Sequence, residues 1–355
     1  MSFSARLRDL LGLFRRTERS QTTTARGPVS HVIILDGTMS TLEPGAETNV
    51  GRIYKLIDEA AENGRVGIYY EAGVQWTDWS TTLDVIEGRG INRQIRRAYG
   101  WLASRYRPGD AIYLIGFSRG AYAVRSLAGV IGRVGLLRRD CATERMVRDA
   151  YRHYELSSDP ALTRFFREHY CYPETQIEAV AVFDTVKALG FRAPFIWKWA
   201  EVKHAFHDDR LGAHVRHGFH ALALDETREA FAPVLWSTPG DFAGHVEQVW
   251  FPGSHGDVGG QLGGFTEARP FSNISLVWML ERLERCSLPL PQDWRQRFPT
   301  DPEAPRVGSW RGWGRFFLAR RRRVVGKDKS EALHPTAQDR KDRLGLPVAD
   351  ALPAT

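Results

Sequence analysis

The chain has 355 residues, 43% apolar and 26% charged, a profile that fits a folded globular protein and excludes collagen-like, disordered and membrane-array classes. No stretch approaches the ~18 consecutive apolar residues of a spanning helix. The net charge of +7 sits at the two ends, with six arginines against Asp9 and Glu18 in 1–26 and twelve Lys or Arg against seven acids in 301–355; because the body between is slightly acidic, no nucleic-acid partner is expected.

In chain order, Phe3, Leu7, Leu10, Leu11 and Phe14 form one apolar face of a predicted helix over 1–16, with Arg6, Arg8, Arg15 and Arg16 largely off it. Such a helix suits an anionic membrane surface; docking on the protein body or disorder are the alternatives. These charges also interrupt any signal-peptide core, so synthesis in the cytoplasm is expected, followed by a peripheral membrane location or a signal-peptide-independent export route. Residues 17–28 (TERSQTTTARGP) read as a linker. HVIIL at 31–35 reads as a buried strand entering a turn at Asp36-Gly37-Thr38. A helix is expected through 50–62 with Asn49 as its cap, then a strand at 65–70 and a helix at about 91–106.

AIYLI at 111–115 is a third strand. It runs into Gly116-Phe117-Ser118-Arg119-Gly120, and a helical pattern follows to about 134. Helices are expected at 144–156 and 161–169. Further strands are expected at 177–183 ending in Asp184, at 217–224 ending in Asp225-Glu226, and at 246–251 ending in Pro252-Gly253-Ser254-His255. A helix through 273–285 closes this region, and beyond 288 the chain is rich in Pro, Arg and Trp without a clear period. The predicted domains are therefore a basic segment and linker (1–28), an α/β body (29–288) and a basic extension (289–355). Within the body, 188–215, with Phe191, Phe195, Trp197 and Trp199, reads as a small apolar lid or as a core helix.

Strands that read as apolar runs and alternate with helices indicate a mostly parallel sheet covered on both faces. Functional loops then lie at the strands' carboxyl ends. Asp36, Ser118, Asp184, Asp225 and His255 all fall at such ends.

Gly116-x-Ser118-x-Gly120 lies between a strand and a helix, the context of a nucleophile elbow. A serine hydroxyl needs a base to take its proton, and the α/β-hydrolase order of serine, acid, histidine is met by His255 after the last strand. Two carboxylates compete to orient His255. Asp225 follows the strand just before the histidine-bearing one, and is preferred; Asp184 follows the strand next to the nucleophile strand. The oxyanion donors are expected at the Arg119 backbone N–H and in the loop at Gly37-Thr38. Asp257 reads as a loop hydrogen-bonding residue; a metal site of Asp36, Asp257 and His255 is weighed and not adopted. His204, His207, His214 and His217 read as solvated loop residues. Three cysteines without close spacing suggest neither a full disulfide set nor zinc, and no cofactor is expected.

Together, DGT at 36–38, INRQIRRAY at 91–99, GFSRGAYAVRSLAG at 116–129, VFDTVKALG at 182–190, HALALDETREAFAPVLW at 220–236 and VWFPGSHGDVGG at 249–260 resemble one α/β-hydrolase-like domain family. That family includes the type VI secretion lipase effectors of bacteria. The resemblance covers about 31–287 and implies hydrolysis of phospholipid or related esters by Ser118, His255 and an Asp, with a secretion-system or immunity protein as partner. Two other readings remain at this point: a membrane-docked binding module that has lost turnover, and a soluble esterase, thioesterase or peptidase without lipid preference. A second membrane contact is expected at 316–323, where Arg320–Arg323 follow Phe316-Phe317-Leu318.

Overall fold

The computed structural model describes residues 17–19, 27–61, 64–73, 89–156, 159–186, 210–238, 240, 242–310 and 317–349. The predicted helix over 1–16, His204, His207 and most of the predicted lid lie outside the described residues.

Seven strands run parallel: β2 (Ser30–Leu35), β3 (Val66–Glu71), β4 (Ala111–Phe117), β5 (Ile177–Phe183), β6 (Val215–Ala223), β7 (His245–Phe251) and β8 (Glu331–Leu333). A short strand β1 (Thr17–Arg19) pairs antiparallel with β3, giving the order β1-β3-β2-β4-β5-β6-β7-β8. The stretch read as linker thus supplies an edge strand. The C-terminal segment, read as an extension, supplies the opposite edge at β8. Three residues with no apolar run beyond Ala332 and Leu333 leave too short a pattern to be seen in the sequence.

Both sheet faces are buried, which is why the strands read as continuous apolar runs. Val32 and Ile34 face one layer, where α1 (Asn49–Ala60) contributes Ile53 and Ile57 and α7 (Arg269–Arg285) contributes Leu276 and Leu280. Ile33 and Leu35 face the other, where α2 (Arg89–Ala103) brings Ile95 and Tyr99 and α3 (Arg119–Val134) brings Val124 and Ile131. Helices α4 (Glu144–Leu156) and α5 (Pro160–Tyr170) cover α3 with Ala150, Tyr154 and Phe166. A third cluster of Leu222, Trp250, Leu333, Ala337 and Leu346 fastens the C-terminal segment to β6 and β7.

Thr48, not Asn49, caps α1: its Oγ1 accepts the Gly51 N–H at 3.0 Å. Asn49 is already inside the helix, and its amide donates to the Val258 and Ser272 carbonyls at 2.9 and 3.2 Å. It therefore ties α1 to α7 and to the short helix α6 (His255–Gly259). Among the described residues no helix is long and apolar enough to cross a membrane.

Candidate active site

Ser118 stands between β4 and α3 with φ +58° and ψ −121°. A non-glycine residue in that region costs ~1–3 kcal/mol and persists where its surroundings enforce it. Here the enforcement is visible. A β-carbon on Gly116 would lie 2.7 Å from the Ala121 α-carbon, and one on Gly120 would lie 2.0 Å from the Leu35 carbonyl oxygen. Only glycine at both positions lets helix, elbow and β2 close on one another. The Ser118 N–H donates to the Phe183 carbonyl at 3.0 Å, fixing the elbow to the end of β5.

His255 opens α6, the five-residue helix after β7. Its ring packs on Phe117 and Phe231, with centroid separations of 4.7 and 4.8 Å. Nε2 lies 2.9 Å from Ser118 Oγ, and Nδ1 lies 2.5 Å from Asp184 Oδ2. Asp184 is fully buried at φ +38°. Burial alone would raise its carboxyl, but the Arg323 guanidinium and the hydrogen bond from His255 hold it well below the usual carboxylate range. An ionised carboxylate only accepts, so Nδ1 carries the imidazole proton and Nε2 presents its lone pair to the Ser118 hydroxyl.

The preference for Asp225 as the partner of His255 is corrected by this geometry. Asp225 lies past the end of β6, where its carboxylate accepts the Gly253 N–H at 2.7 Å and pairs with Arg340. It fastens the C-terminal segment to the loop before His255. Its neighbour Glu226 does approach the histidine: Oε2 accepts the His255 backbone N–H at 3.1 Å, and both Glu226 oxygens accept from Arg228.

Gly37 lies beside the elbow; a β-carbon there would be 2.7 Å from the Phe117 ring and 3.4 Å from Ser118 Cβ. Its N–H, however, donates to Asp36 Oδ1 at 2.6 Å, which removes it from the expected donor set and leaves Thr38 in that loop. Arg119 is the first residue of α3, where backbone N–H groups have no intrahelical partner. Burial pulls its guanidinium down to about 10.

Asp36, Asp257 and His255 do not converge. Asp36 accepts from Thr48 Oγ1 and Tyr70 OH at 2.7 and 2.8 Å. Asp257 accepts from the Ser254, Val307 and Gly308 backbone N–H groups, as a loop-bonding residue does. His214 contacts the Ala128 carbonyl and His217 faces Glu178, so these two histidines share no site. Among the described residues one group has metal-ligating donors within 4.8 Å of one another, Glu178, His217 and Cys286. It lies at the amino ends of β5 and β6, away from Ser118. Burial pushes the Cys286 thiol up to about 12 and Arg216 already binds Glu178, which disfavours a thiolate ligand set.

Sequence reasoning missed four participants. Arg323 is hidden in a run of four arginines that looks solvated. Glu226 stands next to the favoured Asp225. Gly73 backs the Gly37-Thr38 peptide, where a β-carbon would lie 2.1 Å from the Gly37 oxygen. Gln261 donates to the Thr38 carbonyl at 2.8 Å; neither of these last two carries a motif signal. The run at 320–323 is only partly a surface: Arg323 is buried on Asp184 and Arg320 bonds Ser309 and Thr227, while Arg321, Arg322 and Leu318 are exposed.

A parallel sheet flanked by helices, with a strained serine at the strand-to-helix elbow, defines the α/β-hydrolase class. Residues 30–282 match the family described as "T6SS, Phospholipase effector Tle1-like, catalytic domain", and the chain belongs to that family. An uncharacterized protein of Saccharomyces cerevisiae, YEL023C, is 27% identical over 232 residues, 58% of this chain and 32% of its own length; the match thus spans about a third of that relative. Among solved structures, the Tle1 effector bound to the VgrG spike of the type 6 secretion system is 13% identical, with a TM-score of 0.43, over 96% of this chain and 88% of that one. An uncharacterized protein from Pseudomonas aeruginosa is 16% identical with a TM-score of 0.41, over 77% of this chain and 49% of that one. Esterase 2 of Thermogutta terrifontis is 11% identical with a TM-score of 0.37, over 75% of this chain and 86% of that one.

Proposed function

We propose that the protein is a serine hydrolase of acyl esters, with phospholipids or related lipid esters as substrates. The observation that carries the reading is the unbroken series Ser118 Oγ, His255 and Asp184, with separations of 2.9 and 2.5 Å. In the proposed mechanism, Ser118 Oγ attacks the ester carbonyl while Nε2 takes its proton; the protonated imidazole then delivers that proton to the leaving alcohol. The tetrahedral oxyanion is received by the backbone N–H groups of Arg119 and Thr38, at the amino end of α3 where developing negative charge is favoured. Water repeats the cycle on the acyl-enzyme and releases the acid. Family membership supports the lipid substrate and a secretion-system partner.

A fluorophosphonate probe tests the chemistry, because it labels a serine activated by its base. Labelling of the wild type, with none in Ser118→Ala or His255→Ala, is expected; equal labelling in either variant would refute the triad. Fatty-acid release from phospholipid vesicles, compared with hydrolysis of a short-chain soluble ester, tests the substrate class. Turnover of the soluble ester alone would indicate a general esterase. A folded wild type that takes no probe would indicate a binding module on a hydrolase scaffold.

A further inference from the structure

His255 is not the whole of what holds Asp184. Arg323 donates through Nη1 to Oδ1 at 2.5 Å and through Nη2 to Oδ2 at 2.9 Å. The same guanidinium donates to the Ala223 and Phe231 carbonyls, each at 2.7 Å. The two side chains are 3% and 0% exposed. Arg323 lies beyond residue 282, where the family match ends, in a stretch sewn to the loop after β6. The Arg321 N–H donates to the Thr227 carbonyl at 2.7 Å and the Glu229 N–H to the Ala319 carbonyl at 3.0 Å. Arg320 reaches Thr227 Oγ1 and Ser309 Oγ at 3.1 and 2.9 Å.

Among the described residues, the carboxylates bonded to His255 are Asp184 and Glu226, and each has its own arginine, Arg323 and Arg228. Asp184 also accepts the Ala223 N–H at 3.0 Å and interacts with the buried His220, which burial pulls down to about 3 and so keeps neutral. The His255 ring also meets Ser118 Oγ and the Phe117 and Phe231 rings. A carboxyl as deeply buried as Asp184, left without a cation, would favour its protonated form. A protonated Asp184 could donate to Nδ1, which would place the imidazole proton on Nε2 and deprive Ser118 of its acceptor. The planar fork of an arginine also fixes a carboxylate's rotation as one point charge does not.

Building on the triad reading above, we infer that Arg323 is a positioning residue of the active site, a cation from the C-terminal segment that keeps Asp184 a fixed carboxylate and keeps the His255–Asp184 dyad from taking an extra proton under mildly acidic conditions. Its removal makes the dyad bind that proton more readily, whichever member carries it.

The test is the pH dependence of the fluorophosphonate labelling rate. In Arg323→Gln the acid limb moves to higher pH by about one unit or more, the scale set by an opposite charge at this range; one unit is a tenfold lower relative rate on the limb. In Arg323→Lys, which keeps a charge but not the fork, the limb stays within about half a unit of the wild type and the plateau falls. A limb unmoved in Arg323→Gln, with only the plateau or melting temperature reduced, would show a merely structural role and overturn the inference. The wild type decides if Arg323→Gln does not fold: its limb should keep unit slope down to about pH 4, and a slope of two would show Asp184 taking a proton despite Arg323. Labelling that persists in Ser118→Ala would instead defeat the triad reading itself.

Discussion

The α-carbon of Gly120 packs against the carbonyl oxygen of Leu35, so closely that a β-carbon on Gly120 would lie 2.0 Å from it. This contact seats the first turn of α3 on the end of β2 and brings the Gly37-Thr38 loop against Ser118. Gly120→Ala should therefore destabilise the protein by about 1–3 kcal/mol, as overpacking does. It should also slow fluorophosphonate labelling by ~10²-fold, the scale of a 1 Å misplacement. Thermal melting and the labelling rate check both effects, and a variant with wild-type values in both would contradict the contact.

Asparagine at the two aspartates separates their roles. Asp184→Asn removes the acceptor that fixes the His255 tautomer, and the corresponding change in serine proteases costs ~10⁴-fold in turnover. Asp225→Asn loosens a half-exposed tie to Arg340 and Gly253 and should leave turnover within about threefold of the wild type, in line with the small effect of most surface changes. Steady-state ester hydrolysis by the two purified variants measures this; the reverse order would return the acid to Asp225.

Burial pushes Asp36 from 3.8 up to about 6, against the hydrogen bonds it accepts from Thr48, Tyr70 and Gly37. Between those values the folded protein holds a proton that the unfolded chain releases. Asp36 thus contributes stability in full below pH 3.8, and that contribution is lost as pH rises through about 6. From pH 5 to pH 8 the loss amounts to roughly 1.4 kcal/mol. Asp36→Asn lacks this titration, so relative to the wild type it should be more destabilising at pH 5 than at pH 8 by about that amount. Urea unfolding of both proteins at the two pH values gives the comparison, and an equal difference at both would refute it.

The spacing of Phe3, Leu7, Leu10, Leu11 and Phe14, with arginines between and after them in the sequence, carries an expectation about membranes. Deleting 1–16, which leaves β1 in place, should weaken co-sedimentation with anionic vesicles while sparing a soluble short-chain ester. Added salt should weaken binding of the full chain through screening of the arginines. Sedimentation independent of both the deletion and salt would remove this surface.

The legible parts of this molecule are those with a local signature. The run AIYLIGF buries alternate residues in two layers, so it reads as a strand without any tertiary information. Ser118 declares itself by flanking glycines, and His255 by its place after the last apolar run of the body. What escaped depends on contacts across the chain. Asp184 and Asp225 each follow a strand, and only the reach of α6 across β6 to β5 chooses between them. Arg323 has no local mark that separates it from Arg321 and Arg322; its burial is decided by the pairing of 319–321 with 227–229. Likewise β8 exists because Leu333 fills a gap beside Trp250, not because three residues prefer to be extended.

The pairing of Arg323 with Asp184 also sets a schedule. The two residues are separated by 139 positions, and ribosomes add about 5–20 residues per second. Roughly 7–28 s of synthesis therefore elapse between the appearance of the aspartate and that of its cation. Through that interval the growing chain carries Ser118 and Asp184 without the arginine that pairs with the aspartate in the finished structure. On the inference drawn for Arg323, the site reaches full reactivity only once residues 317–325 have been made and have docked, so chains still in synthesis are expected to take a fluorophosphonate probe more slowly than finished ones.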